Sequence, residues 1–452
     1  MKKILFDQSI PIACNFIISN VGDNKYTITL IRDSFGCLSI VLPDQAFSEN
    51  TSLENLSGEL HELLGAYSAG KNQVLLKESD LIDREDVLES PDRVRLHENK
   101  NIWIVDRLLT NQDWLREPLT QNPPLPTAVA FSIKGGVGRT TAFALWAWSL
   151  ARSGKSVILI DLDLEAPGIA GLLLGEDRLP DFGLVDWLVE SLAGNADEDL
   201  LSKCLVDCDL ASGEPGRIRV LPAFGVKTKD YINKLGRIYM PTYEKKLSSF
   251  VGLAERLAML LTQISNLVDR PDLVLLDSRA GLHDIGAAAV TRLGAEAFLF
   301  ARDDYQSWQA YRQLFSHLSA SRNISIGMPD NDLRWHMKMI GAQLDPTESA
   351  KLTFIDNSYG VWSDELYDAG LSSEEEDAIR EKGGVIPQIF VREDDNAPHS
   401  PFVVHFDSRV KSFDLINVEN RPDWRMIEAA FGEFFEEAAA RIFPMQESQI
   451  NA

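Results

Sequence analysis

The stretch Thr127–Ser153 constrains the fold of this chain more than any other. A β-branched and apolar run from Thr127 to Ile133 leads into KGGVGRTT at residues 134–141, and from Thr140 the apolar residues recur at helical spacing. The pattern predicts a strand, a glycine loop and a helix. Glycines allow backbone turns with positive φ, and a helix start offers unpaired N–H donors and the positive end of the helix dipole. We therefore expect the loop to bind phosphate; a glycine-rich turn without chemical meaning is the alternative.

The loop departs at two positions from the usual phosphate-binding pattern G-x-x-x-x-G-K-[ST], because Ile133 replaces the first glycine and Arg139 replaces the lysine. It has instead a lysine, Lys134, at its entrance. This arrangement resembles the deviant Walker A loop, K-G-G-x-G-[KR]-[ST]-[ST], of the ParA/MinD family of partition and positioning ATPases. The resemblance implies that Lys134 reaches across an ATP-sandwiched homodimer to the partner's phosphates and that Thr140 is a ligand of Mg²⁺. The implied nucleotide contacts in the loop are Gly135, Gly136, Val137, Gly138, Arg139, Thr140 and Thr141.

Arg139 is the departure with the largest chemical consequence. A guanidinium can bind phosphate oxygens in a fork, but it is larger than an ammonium and not interchangeable with it. We therefore expect ATP binding, together with hydrolysis that is slow without a partner.

A second predicted strand, Ser156–Ile160, ends in two aspartates, Asp161 and Asp163. Residues at i and i+2 of a strand point to the same side, and ligands of open α/β sheets bind at the carboxyl ends of the strands. The pair resembles the D-x-D of switch I in the same family. The resemblance implies that Asp161 supports the Mg²⁺ shell, that Asp163 positions or activates the attacking water, and that Glu165 helps to shape the switch loop.

A third buried run, Asp272–Leu276, ends in Asp277-Ser278-Arg279-Ala280-Gly281. It resembles the switch II motif D-[ST]-P-[PA]-G, which implies that Asp277 holds the Mg²⁺ water shell and that the N–H of Gly281 approaches the γ-phosphate. Arg279 stands where the family has proline, and we interpret it as a surface residue rather than a phosphate contact. His283 is interpreted as a packed loop residue rather than a γ-phosphate sensor. Farther along, the positions where the family contacts the base are occupied by Gln343 and Asp345.

Composition excludes several classes of protein. The net charge of −24 over 452 residues argues against binding nucleic acid through bulk basicity. No apolar run has the roughly 20 residues of a membrane helix, and the last helix has an anionic polar face where an amphipathic membrane anchor needs a cationic one. Asp7 and Gln8 interrupt any signal-peptide core, and four cysteines are too few for a disulfide framework. We expect a cytoplasmic protein that does not bind membranes.

The chain is expected to contain two domains. Residues 1–116 have the pattern of a separate α+β domain without catalytic spacing, for which we hypothesise a partner-binding or regulatory role. Residues 117–126 form a proline-rich linker. Residues 127–445 form the ParA/MinD-like P-loop domain, with insertions near 181–250 and 356–382. Leu188–Leu205 and Tyr231–Ser249 are predicted to be helical, Gly384–Val391 to be a strand and Trp424–Phe443 to be a helix that covers the core.

The alternation of strands and helices predicts an α/β fold with a mostly parallel, doubly wound sheet and a smaller α+β domain before it. The resemblance implies a Mg²⁺-dependent ATPase that acts as a nucleotide-switched dimer and controls the assembly of a protein partner through the N-terminal domain or the insertions. The alternative is an ATP sensor or scaffold subunit that hardly hydrolyses ATP, for example in a bacterial defence module.

Overall fold

The computed structural model describes residues 3–444, except for 23–24, 50–52, 91, 97–100, 117, 120–121, 245–248, 321–331, 369–388 and 410–413. The chain divides into two units, Met1–Arg116 and Glu117–Ala452.

The first unit is a mixed sheet with helices on it. Its strands are β1 (Ile28–Arg32), β2 (Leu38–Leu42), β3 (Leu75–Lys77), β4 (Arg93–Arg95) and β5 (Ile102–Asp106), in the spatial order β3-β2-β1-β5-β4. Its helices are α1 (Phe6–Asn20), α2 (Asp44–Glu49), α3 (Leu53–Leu64) and α4 (Glu85–Leu88). The β1–β2 hairpin is antiparallel, whereas β1 pairs in parallel with β5.

One face of this sheet forms the core of the unit. Ile28, Leu30, Ile40 and Ile104 alternate along the strands and are buried in one apolar cluster with Ile17 of α1. Sequence reasoning did not predict α1. Its first turn contains Asp7, and Pro11 lies inside it, so the helical pattern of its buried residues is interrupted near the start.

The second unit is built on a mostly parallel sheet, as predicted. Its strands run in the order β15-β14-β13-β6-β12-β7-β9-β8 and all neighbours are parallel except β8 and β9. The strands are β6 (Thr127–Ser132), β7 (Ser156–Asp161), β8 (Val206–Asp207), β9 (Arg217–Leu221), β12 (Leu273–Ala280), β13 (Glu296–Ala301), β14 (Met337–Leu344) and β15 (Phe402–His405). Every residue of β6 is buried, which is typical of a central parallel strand covered on both faces.

Helices cover both faces of this sheet. The helices are α5 (Arg139–Arg152), α6 (Ile169–Leu173), α7 (Leu184–Leu192), α8 (Glu198–Cys204), α9 (Tyr231–Ile238), α10 (Leu253–Ser265), α11 (Asp284–Ala287), α12 (Tyr305–Ala320), α13 (Glu348–Glu365) and α14 (Trp424–Ile442). On one face, Trp146 of α5 and Phe434 of α14 pack around Phe298 of β13. On the other, Phe131 of β6 lies against Gly286 of α11. The predicted role of the last helix is confirmed, since its apolar residues are buried in the core.

Two predicted helices of the first insertion are wrong in extent. Leu188–Leu205 is two helices, α7 and α8, because Gly194 takes a positive φ of 75° and Asp197 caps α8 by accepting the N–H of Leu200. Among the described residues of Tyr231–Ser249, the helical ones are those of α9. The segment continues as a hairpin of β10 (Thr242–Glu244) and β11 (Ser249–Val251) after Pro241, which cannot donate a helical hydrogen bond.

Part of the second insertion can be compared with its prediction. Asp356 lies inside α13, which ends at Glu365, and residues 369–388 are outside the described part of the chain. The predicted strand Gly384–Val391 therefore falls mostly outside the described residues, and its described part, 389–391, is not in a strand.

Candidate functional site

Three parallel strands deliver the predicted site residues to one edge of the sheet. Asp277 of β12 lies directly beside Asp161 of β7 in the strand register, and on its other side β12 pairs with β6, which leads into the glycine loop. Because parallel strands end at the same edge, the loop and both aspartates meet there. The structure thus brings together residues that are more than a hundred positions apart in the sequence.

The glycine loop, residues 134–141, has the backbone that the sequence predicts. Gly136 and Gly138 have φ of 74° and 92°, which a residue with a side chain rarely adopts. Gly138 is the N-terminal cap of α5, so the N–H groups of the first turn have no partner within the helix. A Cβ added at Gly136 would meet no atom within 4 Å, so the loop lies open on that side. The geometry is that of an anion-binding cradle.

Arg139 is buried at the start of α5, with 8% of its surface exposed, and its Nη1 has no hydrogen-bond partner among the described residues. A buried guanidinium nitrogen without a partner is costly, and a ligand oxygen would satisfy it. The Arg139 charge also lowers the pKa of two neighbouring carboxyls, Asp163 and Asp277, against the stronger opposite effect of their burial.

Asp277 is fully enclosed, and burial raises its pKa to about 6. Its carboxylate hydrogen-bonds with the side chain of Thr140, while Oδ1 has no partner within the described part of the chain. Thr140 and Asp277, two of the three residues implied to hold Mg²⁺, are therefore in contact. An unpartnered buried carboxylate oxygen beside a threonine hydroxyl is a suitable site for a hard cation or its water shell.

Asp161 serves the loop that follows it. Its Oδ1 accepts the N–H of Asp163 at 3.1 Å, and its Oδ2 accepts the N–H groups of Gly168 and Ile169, both at 3.1 Å. Burial and the adjacent Asp277 together raise the pKa of Asp161 to about 8, against the lowering effect of the bonds from Ile169 and Asp163. The structure therefore shows Asp161 as the residue that fixes both ends of the loop 162–168.

Asp163 is only half-buried and lies on the side of the loop that faces Arg139. Burial raises the pKa of its carboxyl, whereas an N–H from Ala166 at 3.1 Å and the charges of Arg139 and Arg279 lower it. A carboxylate of this kind, beside the cradle and within reach of water, can orient or deprotonate a water molecule.

The residues present fit a magnesium ion that is held jointly with phosphate. Among the described residues, no group of three or more histidine, cysteine, aspartate or glutamate side chains is arranged to hold a metal ion by itself. Mg²⁺ commonly keeps several waters and takes one or two protein carboxylates plus phosphate oxygens. Thr140, Asp161 and Asp277 are a sufficient protein share for that kind of site.

Lys134 points away from the cradle. Its Nζ donates to Gln306 Oε1 at 2.5 Å and lies 3.4 Å from Asp304 Oδ1. Asp304 also accepts the N–H of Ser307 at 2.8 Å and so caps the start of α12. The lysine that the resemblance implies to reach a partner subunit's phosphates thus contacts its own chain in this structure.

Gly281 has the positive φ of 100° that suits a glycine, but its N–H already donates to Ser132 O at 2.9 Å. A contact of this N–H with phosphate would require that bond to be exchanged. His283 is exposed, and its ring lies 3.2 Å from where a Cβ of Gly281 would be.

A cavity of about 240 Å³ lies beside the loop, next to Val137 and Gly138. Gln343 lines it with φ of 58° and donates Nε2–H to Gly136 O at 3.1 Å. Phe406 and Asp407 line the opposite part. Asp345 is exposed and is not among the lining residues, so the structure brings Gln343 to the cradle and leaves Asp345 outside.

Sequence reasoning missed two tyrosines at this edge of the sheet. Tyr231 donates its hydroxyl to Leu164 O at 2.6 Å, and Tyr239 donates its hydroxyl to Glu165. Glu165 also pairs with Arg279 at 3.1 Å, so Arg279 is not a free surface residue. No local motif predicts these contacts. The one sequence signal is a pair of tyrosines eight residues apart in the insertion after β9.

Comparison with known proteins bears on the predicted family resemblance. The chain is 32% identical over 155 residues to a curated septum site-determining protein MinD from Synechocystis sp., a match that covers 34% of this chain and 45% of that protein. The predicted resemblance to the ParA/MinD family is confirmed. The chain spans less than half the length of this relative. No family model matches the sequence.

Solved structures of low identity also align with the chain. A structure of pNOB8 ParA bound to nonspecific DNA has 16% identity and a TM-score of 0.38, covering 71% of this chain and all of that chain. MinD from Pyrococcus horikoshii, complexed with Mg-ADP, has 22% identity and a TM-score of 0.29, covering 42% of this chain and 63% of that chain. At these scores the α/β assignment rests on the strand order given above.

No helix within the described ranges is both long enough and apolar enough to span a bilayer.

Proposed function

We propose that the unit Glu117–Ala452 binds ATP with Mg²⁺ and hydrolyses it, and that nucleotide controls a homodimer which regulates the assembly of a protein partner. One observation supports this most strongly: two buried atoms at the glycine loop and the adjoining strand end, Arg139 Nη1 and Asp277 Oδ1, have no hydrogen-bond partner among the described residues. An unsatisfied cationic donor and an unsatisfied carboxylate acceptor, near enough for the Arg139 charge to lower the pKa of Asp277, match the two halves of a metal–phosphate ligand.

Each residue then has a defined part in the reaction. The N–H groups of residues 135–141 and the Arg139 guanidinium bind the phosphates, and Thr140 and Asp277 hold the cation. Bound Mg²⁺ supplies positive charge that neutralises the phosphate oxygens. Asp163 orients the attacking water and accepts its proton, and Gln343 contacts the base in the cavity beside the loop.

A slow ATP sensor is a second candidate, and Arg139 is the observation that favours it. A guanidinium in the position of the P-loop lysine suits tight phosphate binding without the compact charge of an ammonium. Single-turnover hydrolysis by the wild type and by Asp163→Ala separates the two functions. A measurable wild-type rate that the substitution abolishes supports the ATPase, whereas equal rates near zero support the sensor.

The partner and the role of the first unit are tested together. We propose that Met1–Arg116 recognises the partner, since it has its own core and lacks a catalytic constellation among its described residues. A pull-down with the full chain, with and without a non-hydrolysable ATP analogue, should recover a nucleotide-dependent partner. A truncated chain that starts at Pro123, remains folded by circular dichroism and still recovers that partner would contradict this role.

A further inference from the structure

The loop 162–168 contains Asp163. It is hydrogen-bonded by residues at the two ends of one helix of the insertion, α9. Tyr231 at the first position of α9 donates to Leu164 O, and Tyr239 just after its last position donates to Glu165. Two adjacent loop residues are therefore bonded by the two ends of one short helix. A loop segment in which one backbone carbonyl and the next side chain are both fixed in this way has little freedom to move alone.

Glu165 connects this helix to a second strand end. Its Oε2 lies 3.1 Å from Arg279 Nη1, and Oε1 accepts the Tyr239 hydroxyl. Arg279 is two residues after Asp277 on β12 and acts electrostatically on Asp163. One carboxylate thus joins α9, the loop of Asp163 and the end of the strand that supplies Asp277.

The helix itself is attached to the body of the unit at its middle and at its C-terminal end. Lys234 in the middle forms an ion pair with the buried Asp186 of α7. At the C-terminal end, Arg256 of α10, which is 1% exposed, donates to the carbonyl oxygens of Ile238 and Met240. The side of α9 away from these contacts is exposed at Ile232, which is 84% accessible. The position of α9 is therefore defined by the fold, yet it remains reachable from solvent.

We propose that Tyr231 and Tyr239 are positioning residues for hydrolysis, which set the placement of Asp163 through Leu164, Glu165 and Arg279. This inference rests on the proposed function of the same site and adds a residue set that no motif contains. Nucleotide binding and the position of α9 are coupled in both directions, because a coupling free energy is reciprocal. Any ligand that shifts α9 changes the rate at Asp163.

The first test measures rate and affinity separately. Tyr239→Phe keeps the ring and removes the hydroxyl that Glu165 accepts. We expect single-turnover hydrolysis to slow about 10-fold, because small displacements of a catalytic group are costly in rate, while the Kd for Mg·ATP stays within about twofold. Glu165→Gln keeps an acceptor for Tyr239 and removes the charge that Arg279 pairs with, so it should slow the reaction less. Tyr359→Phe is the matched control, since its ring packs on Tyr367 and His399, away from the loop.

The second test does not depend on turnover. Hydrogen exchange of the full chain is compared with and without Mg²⁺ and a non-hydrolysable ATP analogue. In the wild type, nucleotide should slow exchange in peptides that cover 162–168 and also in those that cover 231–240. In the double variant Tyr231→Phe, Tyr239→Phe, the loop should still respond while α9 should not.

Three results would decide against the inference. Exchange in α9 that is insensitive to nucleotide in the wild type, or equally sensitive in the double variant, overturns it while ATP binding persists. A Tyr239→Phe rate equal to that of Tyr359→Phe also overturns it. If Mg·ATP gives no heat with the wild type in calorimetry, the proposed function fails and this inference fails with it.

Discussion

The glycine loop 134–141 and the loop 162–168 lie at the same edge of the sheet but use their polar groups in opposite ways. In the first, within the described part of the chain, Arg139 Nη1 has no hydrogen-bond partner and no side chain of the N-cap residue Gly138 caps the helix start. The second has its polar groups committed, since Asp161 accepts three backbone N–H groups and Glu165 accepts Tyr239. The difference indicates that the first loop is preorganised for a ligand and that the second is placed by the protein. Substitutions in the first should change affinity, and those in the second should change rate.

The two ends of α5 provide the strongest test of the cradle. Gly138 and Gly154 have nearly equal positive φ, 92° and 87°, so valine imposes a similar backbone strain at either end. Gly138→Val should raise the Kd for Mg·ATP about 100-fold, because it displaces the helix-start donors that bind phosphate. Gly154→Val should lose stability and keep its affinity within about twofold. Equal losses of affinity in both variants, measured by calorimetry, would show that strain alone explains the effect.

Substitutions of Arg139 test whether this buried guanidinium binds the phosphates. Arg139→Ala should weaken ATP binding about 10- to 30-fold, as expected for a lost charge-assisted contact of about 1.5–2 kcal/mol. Arg139→Lys, which places the usual lysine at this position, should bind within about threefold of the wild type and hydrolyse faster. The control is Arg152→Ala on the same helix, where the guanidinium stacks on Trp424. Unchanged affinity in Arg139→Ala would place the phosphates elsewhere.

Lys338 is a buried cation with protein partners, in contrast to Arg139. Its Nζ donates to Asp395 O and Ala397 O, yet burial, with repulsion from Arg441, lowers its pKa to about 7. The folded state therefore binds fewer protons than the unfolded state between pH 7 and about 10.4, so the free energy of unfolding should rise with pH there. We expect Lys338 to contribute a gain of about 2 kcal/mol between pH 7 and 9.

The measurement is denaturant unfolding of the wild type and Lys338→Met at several pH values. Between pH 7 and 9, the free energy of unfolding of Lys338→Met should rise less with pH than that of the wild type. Below pH 7, the variant should be more stable than the loss of the two Lys338 hydrogen bonds alone would predict. Parallel pH profiles of unfolding free energy in the two proteins would show that the pKa of Lys338 is not lowered.

The smallest expected effect concerns the ion pair between Lys134 and Asp304. Asp304→Asn keeps the cap on Ser307, because asparagine also caps helices, and removes the charge next to the lysine. Freeing the lysine should tighten the ATP-dependent dimer about two- to threefold, in line with a half-exposed ion pair. Analytical ultracentrifugation with a non-hydrolysable ATP analogue measures this. The control is Asp303→Asn, which should have no effect, because the Asp303 carboxylate accepts from Trp308 and Asn357. A dimer of unchanged strength in Asp304→Asn would show that the ion pair does not restrain Lys134.

The strand ends and the glycine loop were predictable because their signals are local. A β-branched and apolar run followed by glycines and a helix start specifies β6, the loop and α5, and the apolar runs before Asp161 and Asp277 specify β7 and β12. Parallel pairing then brings those ends together without further information.

The contacts that hold the loop 162–168 were not predictable. Tyr231 and Tyr239 contact Leu164 and Glu165 only through tertiary structure, and no periodicity links residues that lie 67 and 74 positions apart. The bond from Gly281 N–H to Ser132 O and the orientation of Lys134 depend in the same way on neighbouring chain segments. The extent of α9 was overestimated because Pro241 and the hairpin after it outweigh the apolar spacing of the segment.

The central claim is that the cradle at residues 134–141 closes around the phosphates of ATP. Titration calorimetry of the wild type with Mg·ATP, repeated with Gly138→Val and Gly154→Val, tests it directly. The account predicts saturable heat with the wild type and Gly154→Val, and its loss with Gly138→Val. Absence of heat with the wild type, or equal binding by all three proteins, would contradict it.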